Sequence, residues 1–199
     1  MLFVYGRFKL RRWRRYSSPK RLRILQALEN KMAKKNHREP VDVVVHERSD
    51  WNNLGMFSVS NNVAKIYVHE NLILDLKYRF HALETIIHEG RHATQYLSAS
   101  KENIPWWNFR AKRWKKNFES YVSSNQDRLL YNNQEVERDA QKYTIKWLKK
   151  LAYKYDNEED FHITLRRNIK RYENAEDQAR KEYGIFYKYK MRRKMDKMK

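Results

Sequence analysis

The chain contains only four glycines and three prolines in 199 residues, so few positions interrupt regular secondary structure. Because these two residues most often end helices, we expect the helices to be long. Apolar residues recur at helical spacing in 17–36, 132–155 and 158–184. A further helical pattern begins after residue 70 and continues to about residue 100. The sequence therefore predicts a largely helical protein.

A small sheet is predicted before the helix that reaches residue 100. The β-branched run VDVVVHE, at 41–47, is typical of a strand. Alternating apolar residues on both sides of the sequence SNN predict a hairpin within 55–70. A strand and a hairpin followed by several helices indicate an α+β fold that is mostly helical.

Positive charge is concentrated at the two ends of the chain. The net charge is +20, of which residues 1–16 carry +6 and residues 184–199 carry another +6, whereas residues 41–100 carry −2. Basic ends suggest a polyanionic partner, which could be nucleic acid, an anionic membrane surface or an acidic protein, with solubility as the simpler alternative. Aromatic residues are mixed with these bases and with the bases of 106–122. In 106–122, the spacing of Trp107, Trp114 and Phe118 instead favours a helix with its aromatic side in the core.

The composition also limits the kind of metal site. There is no cysteine, so a metal would have to be held by histidine and carboxylate. No apolar stretch is long enough to suggest a transmembrane segment, and the opening residues do not resemble a signal peptide. We expect a cytoplasmic protein, with non-classical export as the alternative.

The stretch ETIIHEGRHATQYL, at 84–97, contains an HExxH motif. On a helix, His88 and His92 lie on one side, one turn apart, and can bind one Zn²⁺. Glu89 is then placed to act as the general base on a water molecule. The alternative is a helix that carries two exposed histidines.

A catalytic zinc site needs a third protein ligand. The later helix contains NNQEVERDAQKYT, in which Glu135 and Asp139 are four residues apart. We predict Glu135 as the third zinc ligand and Asp139 as the acceptor for the outer N–H of a zinc-bound imidazole. Glu137 is expected to point elsewhere, on a solvated face. His162 is the rival third ligand, as in the zincins that use three histidines.

HEGRH followed by EVERD resembles the gluzincin zinc metallopeptidases, whose pattern is HExxH and then ExxxD on a second helix. The resemblance covers about residues 41–150. This region is similar to the compact metallopeptidase domains of bacteria, phages and mobile elements. It implies a zincin-like fold, one Zn²⁺ per chain, a protein or peptide substrate and an edge strand that pairs with that substrate. The predicted domain organisation is a basic N-terminal segment and helix at 1–40, a metallopeptidase core at 41–155, and a C-terminal helix with a basic tail at 156–199.

Two aspects of function stay open at the level of sequence. A transition-state hydrogen-bond donor is expected, and His162, Tyr131 and Tyr121 are its candidates. The leading prediction for the whole chain is a zinc metallopeptidase. The alternatives are a binding protein on a zincin scaffold, directed to nucleic acid or an anionic surface, and a metalloprotease effector or toxin.

Overall fold

The computed structural model describes residues 4–46 and 53–198. In this part of the chain the fold is α+β and mostly helical, with a small three-stranded sheet, which confirms the predicted fold class. The predictions made for residues 1–3, 47 and 199 lie outside the described residues.

Helices account for most of the described chain. The α-helices are α1 (Leu10–Trp13), α2 (Ser18–Lys35), α3 (Asn71–Leu74), α4 (Arg79–Ala99), α5 (Phe109–Glu119), α6 (Arg128–Asn133), α7 (Glu135–Leu151), α8 (Glu159–Tyr183) and α9 (Tyr187–Asp196). Short 3-10 helices cover Tyr5–Phe8, Leu76–Tyr78 and Ala152–Tyr155. Within these residues, no helix is both long enough and apolar enough to cross a membrane.

The sheet consists of β1 (Asp42–Val45), β2 (Gly55–Ser60) and β3 (Val63–Val68) in the order β1-β3-β2. β1 pairs with β3 in parallel, and β2 pairs with β3 in antiparallel register. Asn61 and Asn62 form the hairpin turn with φ values of 49° and 60°. Asparagine tolerates this left-handed conformation, which two-residue hairpin turns require. β2 therefore lies at one edge of the sheet formed by the described strands.

Helix α4 lies at the centre of the fold and carries the HEGRH sequence. It packs against α2, α5, α7, α8 and the hairpin strands. This explains why it is buried around most of its circumference. This packing leaves little room for a side chain at Gly90 of HEGRH, since a Cβ there would lie 2.8 Å from Glu29 Oε2. The buried Glu29 is ion-paired with Arg38, which also donates to the Gly90 carbonyl at 2.9 Å.

The N-terminal aromatic residues belong to the main hydrophobic core, although the sequence shows no clear periodicity there. Phe8 and Trp13 are fully buried, in the same cluster as residues of α4 and α8. The Tyr155 hydroxyl donates to the carbonyl of Tyr5 and links this segment to the 3-10 helix that follows α7. The arginines between these aromatics are largely exposed.

The structure also defines the basic C-terminal tail and corrects one expectation about the 106–122 segment. The C-terminal tail contains a helix, α9, whose Tyr187 and Met191 are buried against Leu130. In the 106–122 segment, Trp114 is buried and Phe118 partly buried, as predicted. The prediction for Trp107 is wrong: this residue precedes α5, and 65% of it is exposed.

Candidate metal centre

The two histidines of HEGRH lie on one side of α4 and face each other. Their Nε2 atoms are 3.1 Å apart. His92 is buried and His88 is partly exposed. This arrangement follows from the spacing of four residues, which places both side chains one above the other on a helix.

Glu137 of α7 completes the group. Its Oε2 lies 3.4 Å from His88 Nε2, and its Oε1 lies 3.4 Å from His92 Nε2. Among the described residues, His88, His92 and Glu137 form a group whose ligand atoms all lie within 4.8 Å of one another.

The donor set fits a tetrahedral divalent metal ion. Zinc bonds of 2.0–2.1 Å in tetrahedral geometry separate neighbouring ligand atoms by about 3.3 Å. In this structure the two Nε2 atoms are 3.1 Å apart, and each lies 3.4 Å from a different oxygen of Glu137. Two imidazoles and one carboxylate are also one of the ligand sets that catalytic zinc sites use. The side chains are therefore already close to the spacing that such an ion requires.

The prediction that Glu135 joins the histidines is wrong. Glu135 forms an ion pair with Arg113 of α5 at 2.9 Å, and its side chain is 39% exposed. It lines a second cavity between α5, α7 and α9. Side chains two residues apart on a helix point about 200° away from each other, so Glu135 and Glu137 cannot face the same neighbour. The expectation that Glu137 is solvated is wrong for the same reason.

Asp139 supports His92, but through another residue. The Nδ1 of His92 lies 2.8 Å from Oε1 of the fully buried Gln95. The amide nitrogen of Gln95 donates to Asp139 Oδ2 and to the Val136 carbonyl, both at 2.9 Å. The direct contact predicted for Asp139 is therefore made by Gln95. Sequence reasoning missed Gln95, although its place three residues after His92 puts both on one side of the helix.

The charges of the centre are strongly coupled. Burial alone would raise the pKa of Glu137, but attraction to His92 and hydrogen bonds to both histidines outweigh burial and hold this pKa well below its usual value. Burial likewise opposes the charged form of His92, but the Glu137 carboxylate prevails and raises the pKa of His92 to about 9. The raised pKa of His92 lets its imidazolium balance the Glu137 carboxylate, and a bound cation would take over that role.

Glu89 lies beside this centre and is held by the sheet. Its Oε2 accepts a hydrogen bond from the N–H of Phe57 in β2 at 2.8 Å. Ser60 and Val63 flank the two-residue hairpin turn and form a hydrogen-bonded pair. Hydrogen-bonded and non-hydrogen-bonded pairs alternate along antiparallel strands, so Phe57 and Ile66 form a non-hydrogen-bonded pair and the Phe57 N–H points away from β3. The edge of β2 therefore positions the carboxylate that the sequence predicts as the general base.

Gly55 allows β2 to approach α4 closely. A Cβ at position 55 would lie 2.1 Å from Thr85 Cγ2 and 3.3 Å from Glu89 Cγ. These distances are shorter than van der Waals contact, so a larger residue would move the strand or the helix. The sequence pattern did not reveal this requirement.

A cleft of about 490 Å³ opens over Glu89, His92 and Glu137. One wall is β2 from Gly55 to Val59, and the other includes Tyr96, Phe118, Tyr121 and Tyr131. The Tyr121 hydroxyl donates to Glu137 Oε1 at 2.7 Å. Burial and the negative charge of Glu137 raise the pKa values of both Tyr121 and Tyr131. Both hydroxyls therefore stay protonated at neutral pH and can donate hydrogen bonds.

The remaining histidine candidate lies elsewhere. His162, on α8, is partly exposed, and its Nε2 lies 3.1 Å from the Asp156 carbonyl. It does not line the cleft. The structure therefore does not support His162 as a third ligand or as a hydrogen-bond donor in this site.

No protein-family model matches the chain, and no significant match is found among curated proteins or solved structures. Function is therefore inferred from the geometry of the metal centre and the cleft.

Proposed function

We propose that the protein is a zinc-dependent metallopeptidase that hydrolyses peptide bonds in an extended polypeptide. One observation carries this proposal: the Nε2 atoms of His88 and His92 lie 3.1 Å apart and each lies 3.4 Å from an oxygen of Glu137, beside the carboxylate of Glu89. A structural metal site would need neither an open cleft nor an adjacent carboxylate, and this centre has both.

His88, His92 and Glu137 would hold the zinc ion. When bound, zinc would acidify a water molecule and polarise the substrate carbonyl. Gln95 orients His92 through its Nδ1 atom, and Asp139 fixes the amide of Gln95. Such supporting hydrogen bonds keep the imidazole in the tautomer that leaves Nε2 available as a ligand.

Glu89 is the proposed general base. It would accept a proton from the attacking water and return that proton to the nitrogen of the leaving amine. The hydrogen bond from the Phe57 N–H fixes one carboxylate oxygen, so the direction of the carboxylate is set before substrate binds.

The edge of β2 is the proposed binding site for the substrate backbone. Backbone groups two residues apart on a strand point to the same side, so the N–H and carbonyl of Val59 also point away from β3. An extended peptide could therefore pair with this edge, as in other cases of strand addition. Tyr131 would face that peptide across the cleft and could donate to the oxygen of its scissile carbonyl, since Tyr121 is engaged by Glu137.

The test is digestion of a proteome-derived peptide library by the zinc-loaded protein, with products identified by mass spectrometry. Glu89→Gln should keep its zinc and lose at least about 100-fold in cleavage rate, as expected for removal of a general base. Glu84→Gln is the matched control, because Glu84 lies on the same helix but is paired with Arg167 outside the cleft. No cleavage by the wild type, or equal cleavage by Glu89→Gln, would overturn the proposal.

A further inference from the structure

Three large aromatic side chains are exposed at the beginning of α5. The exposed fractions are 71% for Trp106, 65% for Trp107 and 63% for Phe109. We call these three residues the aromatic tip. Large exposed aromatics this close together in the chain are uncommon on a protein that has no partner for them, and they often mark an interaction site. None of the three lines the proposed catalytic cleft.

A backbone turn and a capped helix hold the aromatic tip in place. The N–H of Asn108 donates to the carbonyl of Pro105 at 2.9 Å, so Trp106 and Trp107 occupy the two corners of a turn. The side chain of Asn108 then caps α5 by accepting from the N–H of Ala111. The turn is therefore continuous with a helix that is anchored in the protein by buried side chains, including Trp114.

Positive charge follows the aromatic tip along α5. There is no acidic residue from Trp106 to Phe118. In the same stretch the cations are Arg110, Lys112, Arg113, Lys115 and Lys116, all exposed. Arg113 and Lys116 form ion pairs with Glu135 and Asp196. Within the described residues, no ion pair is found for Lys112 or Lys115, which leaves their charge available to an anionic partner.

We propose that this surface binds an anionic lipid membrane, with the aromatic tip inserted among the headgroups and the lysines of α5 near the lipid phosphates. Tryptophan is favoured at the headgroup level because its ring is apolar and its N–H is polar. Basic residues next to inserted aromatics add attraction to anionic lipids. The combination of an apolar apex and flanking cations is complementary to such a membrane surface.

The geometry of the rings favours a membrane over single-stranded nucleic acid. Nucleic-acid platforms stack successive bases on aromatic faces. The Trp106 and Trp107 rings instead meet edge to face, with centroids 5.9 Å apart and an interplanar angle of 84°. Two successive, parallel bases could not stack on both rings in this arrangement, whereas insertion among lipids does not require parallel faces.

The test is binding to vesicles of phosphatidylcholine with 30% phosphatidylserine, measured by co-sedimentation. The wild type should bind these vesicles, and binding should fall with added salt. The double variant Trp106→Ala, Trp107→Ala should bind at least about tenfold more weakly, because it loses the inserted apolar area. Tyr153→Ala is the matched control, since Tyr153 is 69% exposed but lies outside the aromatic tip; it should bind like the wild type.

A second measurement needs no variant. Vesicles that contain brominated lipid should quench the tryptophan fluorescence of the wild type if the rings enter the bilayer. Absence of vesicle binding, absence of quenching, or equal binding by the double variant and the wild type would overturn the proposal. Loss of oligo(dT) binding in the double variant, without vesicle binding by the wild type, would assign the surface to nucleic acid instead.

Discussion

Replacing Gln95 by leucine should weaken zinc binding, because this side chain links His92 to α7. Gln95 is fully buried, and its amide bonds to His92, Asp139 and the carbonyl of Val136 at 2.8–2.9 Å. Leucine has a similar size and no hydrogen-bonding group. The substitution therefore removes all three contacts while largely filling the same space.

The size of the effect follows from these contacts. Loss of the partner that orients a metal-binding histidine typically lowers metal affinity about 10–100-fold. The free energy of unfolding should also fall by about 1–3 kcal/mol, because the buried carbonyl of Val136 and the partly exposed carboxylate of Asp139 each lose a partner. The loss of zinc affinity is the part that a purely structural role for Gln95 would not produce.

Zinc affinity can be measured by competition with a chelating indicator dye, and stability by urea unfolding. Gln141→Leu is the matched control: Gln141 is also a buried glutamine, but its amide donates to Asn168 on α8 at 2.7 Å. This control should lose stability and keep zinc affinity. If Gln95→Leu bound zinc as tightly as the wild type, the hydrogen bonds that connect His92 to α7 through Gln95 would not support the metal centre.

Three further predictions concern the cleft and the helix that carries it. Gly55→Ala should retain zinc but lose about 10–100-fold in kcat/KM, because the new methyl group meets Thr85 at 2.1 Å and displaces β2 from Glu89; wild-type peptidase activity would contradict this. Burial lowers the pKa of His81 to about 4 from 6.5. The unfolded chain therefore binds more protons between these values, and stability should fall as pH drops from about 6.5 to 4. In His81→Gln, the free energy of unfolding measured in urea should fall less between pH 7 and pH 5 than in the wild type. An equal fall in both proteins would refute this prediction. Tyr131→Phe should lower kcat with zinc content unchanged; an unaffected kcat would exclude Tyr131 as the oxyanion donor.

The sequence predicts the elements that carry the site, but not which side of α7 faces the histidines. Val136 and Ala140 mark the centre of the buried stripe of this helix, and both are fully buried. Glu135 and Asp139 lie about 100° to one side of that stripe, and Glu137 lies about 100° to the other. Helical periodicity is symmetric about the stripe, so both flanks offer a carboxylate. Only the packing of α7 against α4 distinguishes the two flanks. The ExxxD spacing favours Glu135, because Gln141 stands four residues after Glu137, where the gluzincin pattern has aspartate.

Local sequence also predicts the hairpin and the long helices, because apolar periodicity and turn residues determine them. It does not predict that Phe8 and Trp13 enter the main core, because that segment is too short to show a period. It likewise misplaces Trp107, whose spacing from Trp114 is helical but which lies in the turn before α5. These are contacts and boundaries that tertiary packing decides.

The central claim is that His88, His92 and Glu137 form the metal centre, and zinc content tests it most directly. The measurement is elemental analysis of the wild type, Glu137→Ala and Glu135→Ala after zinc loading and dialysis against a weak chelator. The two variants remove the same group two residues apart on one helix. We predict about one zinc per chain in the wild type and in Glu135→Ala, and less than about a tenth of that in Glu137→Ala. Zinc retained in Glu137→Ala, zinc lost in Glu135→Ala, or no zinc in the wild type would contradict the account.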